Sequence, residues 1–170
     1  VDYDRTDSRL SPSKGWRAGA SVEFAGGDYH FIKGQADATL YRTVYTRQDG
    51  RKHVLAFTGR MGAMDATGGD TSVPLFERFY AGGRNSLRGF AYRGASPRQI
   101  DTPVGGEFLA LGSVEYFFPV YQSTYRGKPY EMVRGVLFAD FVKVAYSLND
   151  IGASKFRASE IGRASWTATL

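Results

Sequence analysis

Polar and apolar residues alternate with a period of two in segment after segment of this chain, and that restricts its fold more than any other feature. In GWRAGASVEF, residues 15–24, Trp16, Ala18, Ala20, Val22 and Phe24 fall on one face; Arg17, Ser21 and Glu23 fall on the other. This is the pattern of a half-buried strand, not of a helix. The segment is about as long as a tilted strand that crosses a bilayer, and Gly26-Gly27-Asp28 then supplies a tight turn. Residues 29–43 repeat the rhythm, with Ile32, Ala36, Ala38 and Leu40 opposite Lys33, Gln35, Asp37 and Thr39. Gln48-Asp49-Gly50 marks a second hairpin. In residues 52–62, His53, Leu55, Phe57 and Met61 oppose Thr58 and Arg60.

The pattern resumes after a long interruption. Residues 107–118 set Phe108, Ala110, Val114, Tyr116 and Phe118 against Glu107, Ser113 and Glu115. Pro119 is expected to end that strand, because proline donates no ladder hydrogen bond, and 121–131 read as a polar turn. Residues 132–144 place Val133, Leu137, Ala139 and Phe141 opposite Arg134, Phe138 and Asp140. Residues 156–170 alternate loosely as a sixth strand, and 1–14 read as a strand end and a turn. No longer repeat is superimposed on this hairpin rhythm.

No run approaches the roughly 18 apolar residues of a membrane-spanning helix. A barrel needs no such run, since its strands alternate. A lysine facing lipid at mid-membrane costs about 2–4 kcal/mol, so the polar faces are expected to point inward. The 21 glycines and 15% aromatics of the 170 residues fit closed antiparallel sheets. There is no cysteine and there are only two histidines, so neither a disulfide framework nor a structural zinc site is expected. The net charge of +5 comes from basic residues scattered singly, which reads as a solvated surface and not as a nucleic-acid face. The chain begins at Val1 and stops within an alternating run at Leu170. Both ends read as cuts in a longer polypeptide.

The interruption, residues 63–104, is longer than loops without a function usually are. Within it, PLFERFYAGGRNSLRGFAYRGASP spans residues 74–97. Glycines 82, 83, 89 and 94 and arginines 78, 84, 88 and 93 alternate there with Phe76, Phe79, Tyr80, Phe90 and Tyr92. Gly82-Gly83 permits a sharp turn. The aromatic and arginine content suits a loop that docks in a polar, partly buried site. A phosphate-binding loop is disfavoured, because no Gly-Lys-Ser/Thr ending and no helical run follow.

Arg88 is planar and permanently charged, and if folded inward it requires a carboxylate. Glu115 and Asp140 occupy inward-facing positions on the two strands that follow, and Phe138 shares the face of Asp140 and is placed to stack on a guanidinium. Two other readings are open: Arg88 on the surface with the two acids lining a water-filled pore, or Glu115 and Asp140 as a catalytic carboxylate pair. Enzyme chemistry finds little support, since no G-x-S-x-G is present, neither His30 nor His53 follows a nucleophile elbow, and no second histidine or carboxylate cluster accompanies His53. His53 reads as a strand-end residue at a membrane rim.

FERFYAGGRNSLRGF resembles the conserved loop of the BamA/TamA outer-membrane assembly superfamily, also called the bacterial surface antigen family. There a Gly-Gly turn leads into a (V/L/I)RG(F/Y) tip. Three shorter runs point the same way. DSRLSPSKG resembles the family's D-x-R-x-x-P-x-x-G turn, SVEYFFP its S-x-E-Y-x-F-P strand, and Phe138-Ala139-Asp140 the start of its F-x-D-x-G. Val142 stands where the last motif has glycine, and 164–170 do not resemble the family and read as non-native or divergent.

The resemblance implies an all-β fold: an antiparallel meander from the C-terminal half of a sixteen-stranded transmembrane barrel, about six strands with one inward-folded loop. It implies that residues 1–170 form part of that barrel domain, without the POTRA domains or the closing strands. The motif Gly82, Gly83, Leu87, Arg88, Gly89 and Phe90 is expected to pack against Glu115, Phe138 and Asp140 on the wall. The implied role is assembly, insertion or translocation of proteins at a bacterial outer membrane, without enzyme activity, cofactor or metal. The implied partners are the lipid bilayer with its lipopolysaccharide, unfolded outer-membrane clients and accessory assembly lipoproteins, with no nucleic acid. A passive pore and the barrel moiety of a patatin-like lipase fusion are the alternatives.

Overall fold

A computed structural model describes the backbone of residues 1–70, 72–125, 128–152, 157–158 and 165–168, and the side chains of 1–70, 72–121 and 133–152. One antiparallel sheet dominates. Its members in chain order are β1 (Asp2–Asp4), β2 (Gly15–Ala25), β3 (Phe31–Thr46), β4 (Lys52–Ala66), β7 (Phe108–Tyr125), β8 (Lys128–Ala145), β9 (Arg157–Ala158) and β10 (Ser165–Ala168). They pair in the order β1-β2-β3-β4-β7-β8-β10, with β9 also on β8. The sheet is an open meander. A separate two-stranded hairpin, β5 (Arg98–Gln99) with β6 (Thr102–Pro103), lies within the long loop.

The register sorts the side chains as the alternation predicts. Arg17, Thr39, Thr58, Ser113 and Asp140 follow one another across one face. Trp16, Leu40, Phe57, Val114 and Ala139 follow one another across the opposite face. Val22, Phe24, Leu40, Phe57, Met61, Leu137 and Phe141 are all exposed. Exposed hydrophobes facing outward on β2, β3, β4 and β8 are what a lipid-facing wall requires.

The core lies on the inner face, beneath the long loop. Wall residues Phe31, Met64, Leu109, Val142 and Val144 pack against loop residues Val73, Phe79, Ala81, Leu87 and Ala95. Hence an apolar core forms although the wall's apolar stripe faces away from it. A smaller cluster of Tyr41, Val54 and Ala56, with Phe117, lies nearer the other rim. There the β1–β2 turn folds across the inner face. Thr43 Oγ1 donates to the Ser13 carbonyl, Lys52 Nζ to Ser13 Oγ, and Arg134 to Ser11 Oγ.

Boundaries differ from the sequence expectation at β7 and at the long loop. Pro119 does not end its strand. β7 runs on to Tyr125 and β8 starts at Lys128, so most of the expected polar turn at 121–131 is ladder. The register shifts between Pro119 and Tyr121, which is how a strand absorbs a residue without an N–H. The long loop starts after Ala66, not at 63. The start of the chain, expected as a strand end and a turn, does supply a short strand, β1. The expected sixth strand appears as β9 and β10 on β8, and its remaining residues lie outside those described.

The inward-folded arginine loop

The loop leaves β4 and returns to β7 by an antiparallel bridge between Phe79 and Gly106. Between these points it makes a second, tighter bridge, Gly83 to Leu87. Gly82 has φ 112°, and a Cβ there would lie 2.5 Å from the Ala91 carbonyl oxygen. Both the backbone angle and the close approach therefore require glycine. The Gly82 amide donates to Ser86 Oγ, and the Ala81 amide to Ser96 Oγ. Leu87, fully buried, plugs the apolar core, and Phe90 packs at its margin. Gly89, at φ 90°, reverses the chain directly after Arg88.

With Leu87 fixed in the core, Arg88 is delivered to the wall. Its Nε and Nη2 donate to the two carboxylate oxygens of Asp140 at 2.7 and 2.6 Å, and its own amide reaches Asp140 Oδ2 at 3.2 Å. Nη1 donates to Glu115 Oε1 at 2.6 Å. The Phe138 ring lies 3.7 Å from the guanidinium carbon. Burial disfavours the guanidinium's charge, but the hydrogen bonds and charges of Asp140 and Glu115 outweigh it and raise the pKa above the ordinary arginine value. The fork geometry is bidentate, the arrangement in which Arg outperforms Lys.

The structure thus brings Arg88, Glu115, Phe138 and Asp140 into one cluster, with Gly82, Gly83, Leu87, Gly89 and Phe90 forming the hinge and plug that present it. Val142, in place of the family's glycine, does not hold the loop off; it is fully buried and packs with Leu87 in the core. Sequence reasoning missed Ser113, whose hydroxyl accepts from Arg88 Nη2 at 3.0 Å and donates to Asp140 Oδ1 at 2.7 Å. Its inward parity between Thr58 and Asp140 was the available signal. It also missed the anchors at the loop's root. Lys33 Nζ donates to the Glu77 carbonyl at 2.9 Å and to Glu77 Oε2 at 3.2 Å, below the Phe79 ring. Buried Arg78 donates to the Val73 carbonyl, lies 4.0 Å from Glu107 and stacks on Tyr146.

Among the described residues there is no group of three or more potential metal ligands. Nor is any helix long and apolar enough to cross a membrane, which says nothing about crossing by strands. His53 Nδ1 lies 2.7 Å from the Tyr116 hydroxyl, beside Tyr45 and close to the rim, and takes no part in the arginine cluster.

An antiparallel wall that is apolar outside, with an arginine loop clamped to its inner face, defines a transmembrane-type β-barrel segment with an internal loop. The Omp85 superfamily domain matches residues 1–170, and the chain belongs to that superfamily. It is 37% identical over 121 residues to the outer membrane protein assembly factor BamA of Nitratidesulfovibrio vulgaris, covering 68% of this chain and 14% of that protein. Identity to the BamA of Neisseria meningitidis is 28% over 144 residues, 81% of this chain and 17% of the relative. A SAM50-like protein of Drosophila melanogaster is 29% identical over 109 residues, 63% of this chain and 24% of its own length. In three dimensions the chain matches the crystal structure of BamA from Haemophilus ducreyi lacking POTRA domains 1–3. The TM-score is 0.69 at 23% identity, over 84% of this chain and 28% of that one. The chain therefore spans less than a third of each of these relatives.

Proposed function

We propose that this chain forms wall and inner loop of a barrel that assembles other proteins into a bacterial outer membrane. The observation that carries the reading is the clamp on Arg88: one guanidinium held by two carboxylates, a serine and an aromatic ring on two adjacent strands. A passive pore has no evident use for such a costly device. Withdrawing a charged side chain from water and fixing it to the wall makes sense when the position of the loop matters to what the barrel does. The relatives support the same role, since those named above are assembly factors and a SAM50-like protein, not lipases. On this reading the substrates are unfolded outer-membrane proteins, the surroundings are bilayer lipid and lipopolysaccharide, and accessory lipoproteins assist. The wall and loop act by geometry, without a covalent step.

The test is complementation. Full-length protein carrying Arg88→Ala replaces the native copy, and the yield of folded, heat-modifiable outer-membrane proteins is measured. Loss of client assembly with the variant still present in the membrane is expected. Normal assembly by a folded Arg88→Ala protein, or ion conductance as the only measurable property, overturns the proposal.

A further inference from the structure

The outer face of the wall carries a feature that neither the arginine clamp nor the fold explains. On β2, β3 and β4 its centre is built from Ala18, Ala20, Ala36, Ala38 and Gly59, at neighbouring register positions. Larger side chains stand around them. Trp16 stacks on Tyr3 at 4.9 Å on one side, and exposed Met61 stands on the other. The result is an open apolar trough of about 620 Å³. It continues past Met61 into a second basin of about 330 Å³, lined by Val22, Gly34, Ala63 and Phe108.

Gly59 is the informative residue. Its φ is unremarkable, and a Cβ built on it meets nothing within 4 Å. Neither backbone conformation nor internal packing requires glycine there, yet glycine weakens a strand interior by roughly 0.5–1 kcal/mol relative to alanine. Glycine in a strand often marks the close approach of a ligand or another chain. The same holds for Gly112, its partner on β7.

The charged side chains along this face are confined to its ends. The outward-facing residues of β1–β4 and the turn after β1 include Arg5 and Arg42 at the rim opposite the long loop, and Asp65 at the loop's own rim. Arg5 lies over the outward Tyr3 ring, with its Cζ 5.2 Å from the centroid. Arg42 is exposed between inward-facing Tyr41 and Thr43. The two acids that flank Arg5 in sequence are engaged elsewhere: Asp4 accepts from Thr6, and Asp7 from Ser13. Two cations and two stacked aromatics thus stand at the mouth of an apolar trough.

From these positions we infer that the trough is a binding site for one anionic glycerophospholipid, its phosphate between Arg5 and Arg42 and an acyl chain running down the strands, across the Ala18–Ala38–Gly59 row and on past Ala20 and Ala36. Charge complementarity selects the headgroup, since basic residues near a membrane surface attract anionic lipid. Length fits the tail: from Trp16 to Val22 the trough runs about 20 Å along the strand, against about 15 Å for half of a typical hydrocarbon core. The tryptophan–tyrosine stack sits where amphipathic rings settle at an interface. This inference rests on the barrel's place in a bilayer and not on its assembly role. Arg88→Ala, which tests that role, leaves this face untouched.

Native mass spectrometry of the full chain in detergent tests it, with long-chain phosphatidylglycerol and phosphatidylcholine added in equal amounts. Unaltered protein should retain phosphatidylglycerol over phosphatidylcholine by about tenfold. The Arg5→Gln/Arg42→Gln double variant should lose that preference. Gly59→Leu, which fills the trough without touching the rim, should reduce retention of long-chain phosphatidylglycerol but not of its dihexanoyl form. Equal retention of the two lipids by unaltered protein overturns the inference. So does unchanged lipid binding in the two variants, or displacement of phosphatidylglycerol by inorganic phosphate alone or by lipopolysaccharide at this site.

Discussion

Arg88 and Asp140 meet through two parallel hydrogen bonds of 2.7 and 2.6 Å, and Asp140 is only 2% exposed. The two residues come from elements 52 positions apart, a loop tip and a wall strand. Their pairing therefore fixes where the tip can be. Glu115 and Ser113 also hold the guanidinium, and Ser113 donates to Asp140 as well.

That pairing gives the first prediction. Arg88→Ala removes the bidentate guanidinium from a buried carboxylate, and breaking a buried pair in this way costs up to about 3–5 kcal/mol. Arg88→Lys restores the charge but not the fork, and should recover only part of the loss. The ordering expected for loop protection in limited proteolysis of the full chain is unaltered, then Lys, then Ala. Equal protection in all three would show that the clamp does not hold the loop.

Gly62 carries the second. It lies on the inner face of β4, and a Cβ there would sit 2.4 Å from the Phe79 ring. The ring is packed in the core and cannot simply swing aside. Gly62→Ala should therefore destabilise by about 1–3 kcal/mol through overpacking. Phe79→Leu in the same chain should relieve part of that clash, so the two changes should be less damaging together than their sum. Urea unfolding in lipid vesicles measures both.

Much of this was legible in the sequence because a period of two is a local property. The faces of β2, β3, β4, β7 and β8 could be assigned without knowing their partners, and inward parity alone brought Glu115, Phe138 and Asp140 to one side. What parity cannot give is reach. Lys33 was placed on the inner face, but nothing local shows that its amine meets Glu77, 44 residues away. Ser113 was likewise placed inward without its two partners. Pro119 misled because proline's effect depends on whether a bulge is available, and a bulge depends on the neighbouring strand. The apolar core escaped notice for a related reason. It forms where loop residues such as Leu87 and Val73 cover inward Met64 and Val142, and neither set alone alternates in a way that announces a core.

Lys33 and Glu77 supply a third prediction. The lysine is largely buried, and its amine donates to both the carbonyl and the carboxylate of Glu77. A hydrogen bond to a charged group contributes about 1.5–3 kcal/mol. Lys33→Met should loosen the root of the loop, raising hydrogen exchange at residues 73–81 while the Arg88 cluster stays formed. Glu77→Gln should have a smaller effect, since the carbonyl bond survives it. If the double variant costs the sum of the two single changes, the side-chain pair is not coupled.

Asp7 yields a prediction in pH. It lies in the turn after β1, outside the spanning strands. Slight burial pushes its carboxyl pKa up, but hydrogen bonds from the Ser13 hydroxyl, the Ser13 amide and the Lys14 amide outweigh this and lower it to about 2. A carboxylate whose folded pKa lies below its unfolded value of about 3.9 stabilises the fold in its ionised form. That contribution is complete above about pH 4 and is lost as pH falls through about 2. The turn matters because Ser13 ties it to Thr43 and Lys52 on the inner face. Amide exchange at Ser13 and Lys14 should therefore rise between pH 4 and pH 2 by more than the intrinsic rates allow. In Asp7→Asn the same amides should exchange faster at pH 5 and show no further acid-induced loss. Protection at pH 2 equal to that at pH 5 in the unaltered chain would mean that the Asp7 carboxylate does not hold the turn.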